Sequence, residues 1–303
     1  MTFTPIAGLA LVLVLAPALP GIATRTRAAL TGRRGAPILQ LYFDLAKLAR
    51  KNVVYSRTTT PVFQAGAVLA LSAVVVAALL LPLDGQSAIL SFSGDLVAFA
   101  GLLALGRFAL VLAGLDTGSS FEGMGASREV TIAAFAEPAL FLCFTVLYLA
   151  TGALSLEGML GVPLAEAWVP ASPALALTGA ALFMLALAET CRVPVDDPAT
   201  HLELTMIHEV IILDHSGPDL GLILYGSALK LALFSGLVVS VFVPRGALPP
   251  VLAILVLLAG LVLIAVAIGV VEATMARLRM NRVSQFLVAA GALAAFGVIL
   301  ELR

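Results

Sequence analysis

The sequence predicts an all-α, polytopic membrane protein with about eight transmembrane helices and an amphipathic interfacial helix in its first cytoplasmic loop. Three observations carry this prediction. Of the 303 residues, 61% are hydrophobic and 12% charged, with a mean hydropathy of +1.10, whereas a soluble domain has about 45–50% apolar residues. Apolar runs of roughly 20 residues, the length that crosses the hydrocarbon of a bilayer, recur along the whole chain. The basic residues gather on alternate connections between those runs. No polar stretch is long enough to fold as a separate water-soluble domain, so 1–303 reads as one transmembrane helical domain.

The first span, 3–22, has no basic residue before it and an Arg-rich stretch after it, the reverse of a secretory signal, and is expected to be a retained helix. In the connection that follows, apolar residues at 38, 41, 45, 48 and 49 form a helical stripe opposite Asp44, Lys47, Arg50 and Lys51. That pattern predicts an interfacial helix lying on the membrane. Its basic face is either a solvated surface that fixes topology or a docking surface for a soluble partner. Spans at 61–82 and 92–114 come next, the latter with Arg107 inside it. The stretch from Gly114 to Glu129 is rich in glycine but has no Gly-Lys-Ser/Thr ending and no preceding strand, which excludes a phosphate cradle. A flexible acidic loop is expected there, with Asp116, Arg128 and Glu129, leading into the fourth span at 131–153. Glu137 lies within that span, followed by Pro138. The remaining spans are 172–190, 219–243, 249–271 and 283–301, with Lys230 midway along the first of the last three.

Orientation follows from the basic residues. Arg25, Arg27, Arg33, Arg34, Lys47, Arg50, Lys51 and Arg57 in the first connection, Arg128 in the third, Arg192 in the fifth and Arg277, Arg279 and Arg282 in the seventh place thirteen of seventeen on one side. Only Arg245 and Arg303 lie on the other. The positive-inside bias therefore puts the odd loops in the cytoplasm and both termini in the periplasm, with the chain a multi-pass protein of the plasma (inner) membrane.

Residues 189–217 concentrate the polar chemistry, with all three histidines and six of the eighteen acids. Glu189 and Arg192, three apart, are expected to pair on one helical face. Pro194 and Pro198 then break the chain around Asp196 and Asp197. A second helical pattern starts at Thr200, with Leu202, Met206, Val210 and Leu213 on one face and His201, Glu203, His208 and Glu209 on others. His201, His208 and His215 recur every seven residues, but successive members lie about 10 Å apart along a helix, too far to share one ion. His208-Glu209 also lacks the histidine at 212 that a zinc-protease motif needs. A solvated amphipathic helix and a proton relay both remain open for these histidines. Arg107 and Lys230 lie too deep to snorkel easily, so both are expected to face the bundle interior and pair with acids, Glu137 and Glu189 being candidates. A carboxyl at the depth of Glu137 favours a proton-carrying role over a structural pair. Two cysteines, Cys143 and Cys191, can supply neither the ligands of an iron–sulfur cluster nor a disulfide scaffold.

Together these segments resemble the subunit 1 family of respiratory complex I, and more closely its relatives in the membrane arm of group 4 nickel–iron hydrogenases of the formate hydrogenlyase type. The marks are Arg33-Arg34-Gly35-Ala36-Pro37 with Leu39-Gln40 and Asp44-Leu45-Ala46-Lys47-Leu48, then Gly114-Leu115-Asp116-Thr117-Gly118-Ser119 through Gly125-Ala126-Ser127-Arg128-Glu129. Ala188-Glu189-Thr190 with Arg192, Pro194, Asp196, Glu203-Leu204 and Ser216-Gly217 completes them. The resemblance implies a subunit of an oxidoreductase complex without a catalytic redox centre or cofactor of its own. Its cytoplasmic loops would meet an iron–sulfur subunit and a hydrogenase-like large subunit, which carry 4Fe-4S clusters and a NiFe centre. Antiporter-like membrane subunits and the lipid bilayer would be its other neighbours, and no nucleic acid is expected. Redox chemistry would be coupled to proton or sodium movement through buried acids. Carried over by the resemblance, Arg128, Glu137, Glu189, Arg192, Asp196 and Glu203 match polar positions of the family's chamber and proton path. Arg107, Asp116, Glu129, Asp197, His208, Glu209 and Lys230 complete the candidates for the path or junction. Ala199, His201 and the longer stretch before Ser216-Gly217 depart from the complex I branch and fit the hydrogenase branch better. A quinone-binding subunit of a NADH dehydrogenase-like complex is the close alternative. A free-standing secondary ion transporter is the alternative from another class, for which an inverted repeat with broken helices would be expected and none is detected.

Overall fold

The computed structural model describes residues 3–196 and 206–303, and among these the chain is helical without a strand. α1 (Phe3–Leu15) and α2 (Ala18–Leu30) lead to the short amphipathic α3 (Gln40–Leu48), followed by α4 (Pro61–Leu79), α5 (Asp95–Asp116) and α6 (Ser120–Thr151). Two short helices, α7 (Leu156–Leu160) and α8 (Val162–Ala167), precede α9 (Ser172–Glu189). A single turn, α10 (His208–Ile211), then leads into α11 (Gly217–Phe242), α12 (Pro250–Thr274) and α13 (Met280–Glu301). Among the described residues seven of these helices are long and apolar enough to cross a membrane, and α1 with α2 makes an eighth span bent by 46°. The protein is thus a multi-pass membrane protein. Proline in the first turn, where its missing N–H costs no helical hydrogen bond, starts α4, α9, α11 and α12. Thr60 caps α4 by accepting from Val62 N at 3.2 Å, and Gly152 closes α6 with φ +70°.

Two spans differ from their sequence reading. The first is not one helix over 3–22. It breaks at Ala16–Pro17 and resumes to Leu30, because Pro17 has no N–H to give the carbonyl of Leu13. Two tyrosines meet the carbonyls at the break. The hydroxyl of Tyr225 on α11 donates to Leu13 O at 3.1 Å, and that of Tyr42 on α3 donates to Val14 O. The fourth span begins at Ser120 rather than 131, which turns the expected flexible acidic loop into a turn of three residues, 117–119. Tertiary contact overrides the glycines here. Glu122 in the first turn of α6 is buried, accepting from the Thr117 hydroxyl and, at 3.2 Å, from Asp214 N.

α11 is the centre of the bundle, with 72% of its spanning window buried. It packs on α9, α4 and α12, with α3 lying across its first turns, while α13 fills the groove between α6 and α9, α5 joins α4 to α6, and α12 covers α2. Lipid tails are as apolar as leucine, so close van der Waals packing holds such helices together rather than the hydrophobic effect. Small residues permit the approach. A Cβ on Gly66 of α4 would lie 2.6 Å from the Cβ of Ala113 on α5. At the opposite end of α11 from α10, Arg245 is buried and ties three elements by donating to Leu83 O (3.0 Å), Ala253 O (3.3 Å) and Ser240 Oγ (2.8 Å). It is a structural clamp.

Candidate functional site

Five charged side chains from four helices meet inside the bundle. Arg107 on α5 is the hub, donating to Glu137 of α6 at 2.6 Å and to both carboxylate oxygens of Glu189 at the end of α9, each at 2.6 Å. Its Nε lies 3.5 Å from Glu129, two turns before Glu137 on α6. Lys230, midway along α11, binds the other side of Glu189 at 2.6 Å. The geometry follows from helix position. Glu129 and Glu137 are eight residues apart, so they share a face of α6 about 12 Å along its axis, and that face looks onto α5. A cation buried in hydrocarbon must pair, and here each does. Glu137 stands apart in being 41% exposed at its side chain. It opens into a groove of about 570 Å³ between α5 and α6, whose walls are otherwise apolar apart from Arg107.

The loop end of the bundle carries a second set of pairs. Arg192 binds Glu272 of α12 at 3.3 Å, and Asp196 binds Arg277 at 3.0 Å while accepting from Ile207 N at 2.9 Å. Arg128 donates to Met206 O at 2.8 Å. The expected Glu189–Arg192 pair does not form. α9 ends at Glu189, and Cys191 adopts φ +50°, a left-handed turn that redirects Arg192 towards α12 and leaves Glu189 facing inward. Asp116 sits outside both sets, fastening the start of α4 by accepting from Thr60 N (2.6 Å) and Thr60 Oγ1 (2.8 Å). Asp197 and Glu203 lie outside the described residues, as does His201.

α10 seats His208 against this assembly. It packs on α6 where Gly125 leaves room, since a Cβ there would lie 2.9 Å from Ile211 Cγ1 and 3.1 Å from Ile207 O. Of the two readings open for the histidines, the solvated amphipathic helix is not what forms in the described part. Only residues 208–211 are helical, the Nε2 of His208 is buried, and His215 is 4% exposed and stacked on Phe63 with ring centroids 4.1 Å apart. Burial holds both imidazoles below the usual histidine pKa. Glu209 lines a cavity of about 150 Å³ together with Pro20, Arg192 and Asp196.

Arg107 and Lys230 face the interior as the sequence implied, but Glu272 and Arg277 went unnoticed as partners. The signal for Glu272 was present: it is the one acid in the apolar run that forms α12. Arg277 contributed only to the count of basic loop residues.

The chain matches the family described as NADH dehydrogenase over residues 4–301. It is 36% identical over 239 residues to "Hydrogenase-4 component C" of Escherichia coli (strain K12), covering 78% of this chain and 73% of that protein. It is 30% identical over 277 residues to "Formate hydrogenlyase subunit 4" of the same strain, covering 88% of each. Among solved structures, a chain in the membrane-bound sulfane sulfur reductase, an archaeal respiratory membrane complex, superposes with a TM-score of 0.84 at 20% identity, over 99% of this chain and 98% of that one. That last likeness shows the shared fold.

Proposed function

The chain belongs to the NADH dehydrogenase family, and on that premise we propose that it is the non-redox membrane subunit of an energy-converting, hydrogenase-type complex. It anchors a soluble electron-transfer arm and couples that arm's redox chemistry to proton or sodium movement. The observation that carries this reading is the unbroken contact chain Glu137–Arg107–Glu189–Lys230 across four helices, with Glu129 at its side, buried except at Glu137. Charge is too costly in a membrane interior to be kept there for packing alone. The names of the two bacterial relatives support the hydrogenase-type assignment.

In this reading the loop end faces the cytoplasm and meets an iron–sulfur subunit and a hydrogenase-like large subunit, which hold the 4Fe-4S clusters and NiFe centre. Antiporter-like subunits abut the membrane flank, and the complex lies in the plasma membrane with both termini of this chain on the periplasmic side. The mechanism is electrostatic. A change of charge or conformation in the docked arm disturbs the Arg192–Glu272 and Asp196–Arg277 pairs, which sit on the loop continuing from Glu189. Glu189 is held between two cations, so displacement of either alters the proton affinity of the carboxylates that share them. The groove at Glu137 gives the displaced proton an outlet towards a neighbouring subunit.

Glu137→Gln and Lys230→Ala are expected to uncouple ion movement while the soluble arm keeps its redox activity. The measurement is dye-reported ion transport per electron transferred, in vesicles holding the whole complex. Wild-type coupling in both variants would sink the relay.

A further inference from the structure

Two cavities meet at His208. The smaller, about 50 Å³, is lined by Arg107, Glu129, Glu189, Lys230 and His208, and so lies against the ion network. The larger, about 150 Å³, is lined by Arg192, Asp196, Glu209 and His208 together with Pro20 of α2 and Leu41 of α3, and so lies against the junction loops. Thr190, Cys191, His208 and Ser227 line both, forming the wall between them. Of those four, His208 alone carries a group that binds and releases a proton near neutral pH. Two residues lining the smaller cavity each carry a buried polar atom with no hydrogen-bond partner among the described residues: Nε2 of His208 and Oε2 of Glu129. Burying such atoms unpartnered is costly, and water is the usual remedy where a cavity is polar and roomy enough. About 50 Å³ exceeds the roughly 10–15 Å³ that one water needs.

We propose that His208 is the proton inlet of the buried network. Its imidazole takes a proton from water in the junction-side cavity and releases one, through water in the inner cavity, to the free oxygen of Glu129. An imidazole binds on one nitrogen while releasing from the other, so the ring returns to neutral in its other tautomer, and a flip of the ring restores the first before the next transfer. The inference rests on the relay reading above and adds its point of supply. The charges facing the imidazole suit a transient rather than a resident cation. Glu129 of α6 and Asp196 of the α9–α10 connection favour its protonation, Lys230 of α11 opposes it, and burial keeps the neutral form at rest. Arg107, Glu189, Arg192, Cys191 and Glu209 complete the titratable groups lining the two cavities.

The test uses the intact complex in liposomes, recording dye-linked electron transfer and proton uptake together across pH. His208→Gln keeps a hydrogen-bonding side chain of similar reach but cannot relay. It is expected to leave electron transfer near wild type and to slow coupled proton uptake by about tenfold or more, with the pH dependence of the uptake flattened. Ser227→Leu, which fills the space between the cavities and replaces no member of an ion pair, is expected to do the same. His208→Ala should recover uptake when imidazole is added, which a merely structural role would not allow. Wild-type proton uptake in His208→Gln or in Ser227→Leu overturns the inlet. If His208→Gln fails to assemble, Ser227→Leu and the imidazole rescue decide. Lys230→Ala separates the two readings: uncoupling there with normal uptake in His208→Gln overturns the inlet alone, whereas normal coupling in Lys230→Ala overturns the relay and the inlet with it.

Discussion

Replacing Arg107 by methionine tests whether the network is held by its hub. The five members carry three carboxylates against two cations, a formal charge of −1, and the substitution leaves three carboxylates against Lys230 alone. Arg107 is 8% exposed at its side chain and Glu189 6%, so neither charge can turn to solvent. Removing one partner from a buried ion pair costs about 3–5 kcal/mol, because the other is left uncompensated. Glu137, 41% exposed, escapes most of that penalty and Glu189 keeps Lys230, so the penalty falls chiefly on Glu129, 11% exposed at its side chain. Arg107→Met is therefore expected to destabilise the protein by about 3–5 kcal/mol. Adding Glu129→Gln, at the carboxylate that loses its ion partner with Arg107, removes the stranded charge and should return about 1–3 kcal/mol as a coupling energy. The assay is a double-mutant cycle on the chain purified in detergent, with unfolding followed by helical signal against denaturing detergent. A cost below about 1 kcal/mol for Arg107→Met, or additivity of the two substitutions within about 0.5 kcal/mol, would refute the reasoning.

Two further outcomes are expected. Tyr42→Phe and Tyr225→Phe each remove a hydroxyl from the carbonyls freed at the break between α1 and α2; each should lower stability by about 0.5–1.5 kcal/mol, read as a fall in unfolding midpoint, and an unchanged midpoint in both would show that the break is braced otherwise. His215 is kept neutral by burial, so unfolding takes up a proton once the pH drops below the unfolded value of about 6.5. Stability is then full above that value and falls through the window between it and the lower folded pKa, by at most ~1.4 kcal/mol per pH unit. His215→Phe keeps the stack on Phe63 and should narrow the gap between unfolding midpoints at pH 5 and pH 7.5; an equal gap in both proteins would show that another group sets it.

Much of the fold could be read because one physical demand governs it: a backbone in lipid must bond to itself, so long apolar runs become helices. The ends of α4, α5, α9, α11, α12 and α13 fall within about three residues of their sequence limits for that reason. The start of α6 did not, since Gly118, Gly123 and Gly125 read as loop residues while the buried contacts of Glu122 make helix. Pairing was legible wherever burial forced it, as for Arg107 and Lys230. It was illegible where it depended on a turn. The left-handed conformation of Cys191 turns Arg192 away from Glu189 and towards Glu272, and no residue type announces it. The histidines misled for a related reason. The helical pattern from Thr200 left a solvated helix open for them beside a relay, whereas His208 and His215 are separated by the turn at 212–215, with α10 packed on α6 and His215 stacked on Phe63.

The arrangement of contacts also bears on which carboxylate could accept a transferred proton in the proposed relay. Glu189 is the most central acid, yet both its oxygens are taken: Arg107 reaches each, and Lys230 binds Oε2. A proton arriving there must first displace a cation. Glu129 has one oxygen 3.5 Å from Arg107 and the other without a partner among the described residues, so it can bind a proton with every ion pair in place. Glu137 touches Arg107 through one oxygen only and opens onto the lateral groove. A proton bound at Glu129 weakens its hold on Arg107 and lets Arg107 pair more fully with Glu137, two turns on along α6, so uptake at Glu129 and release of a separate proton held by Glu137 are coupled through Arg107, which itself loses neither charge nor proton. Glu189 and Lys230 set the field in which that exchange runs. On this argument Glu129→Gln should block proton uptake at least as severely as Lys230→Ala, although Lys230 is the residue whose depth draws attention first.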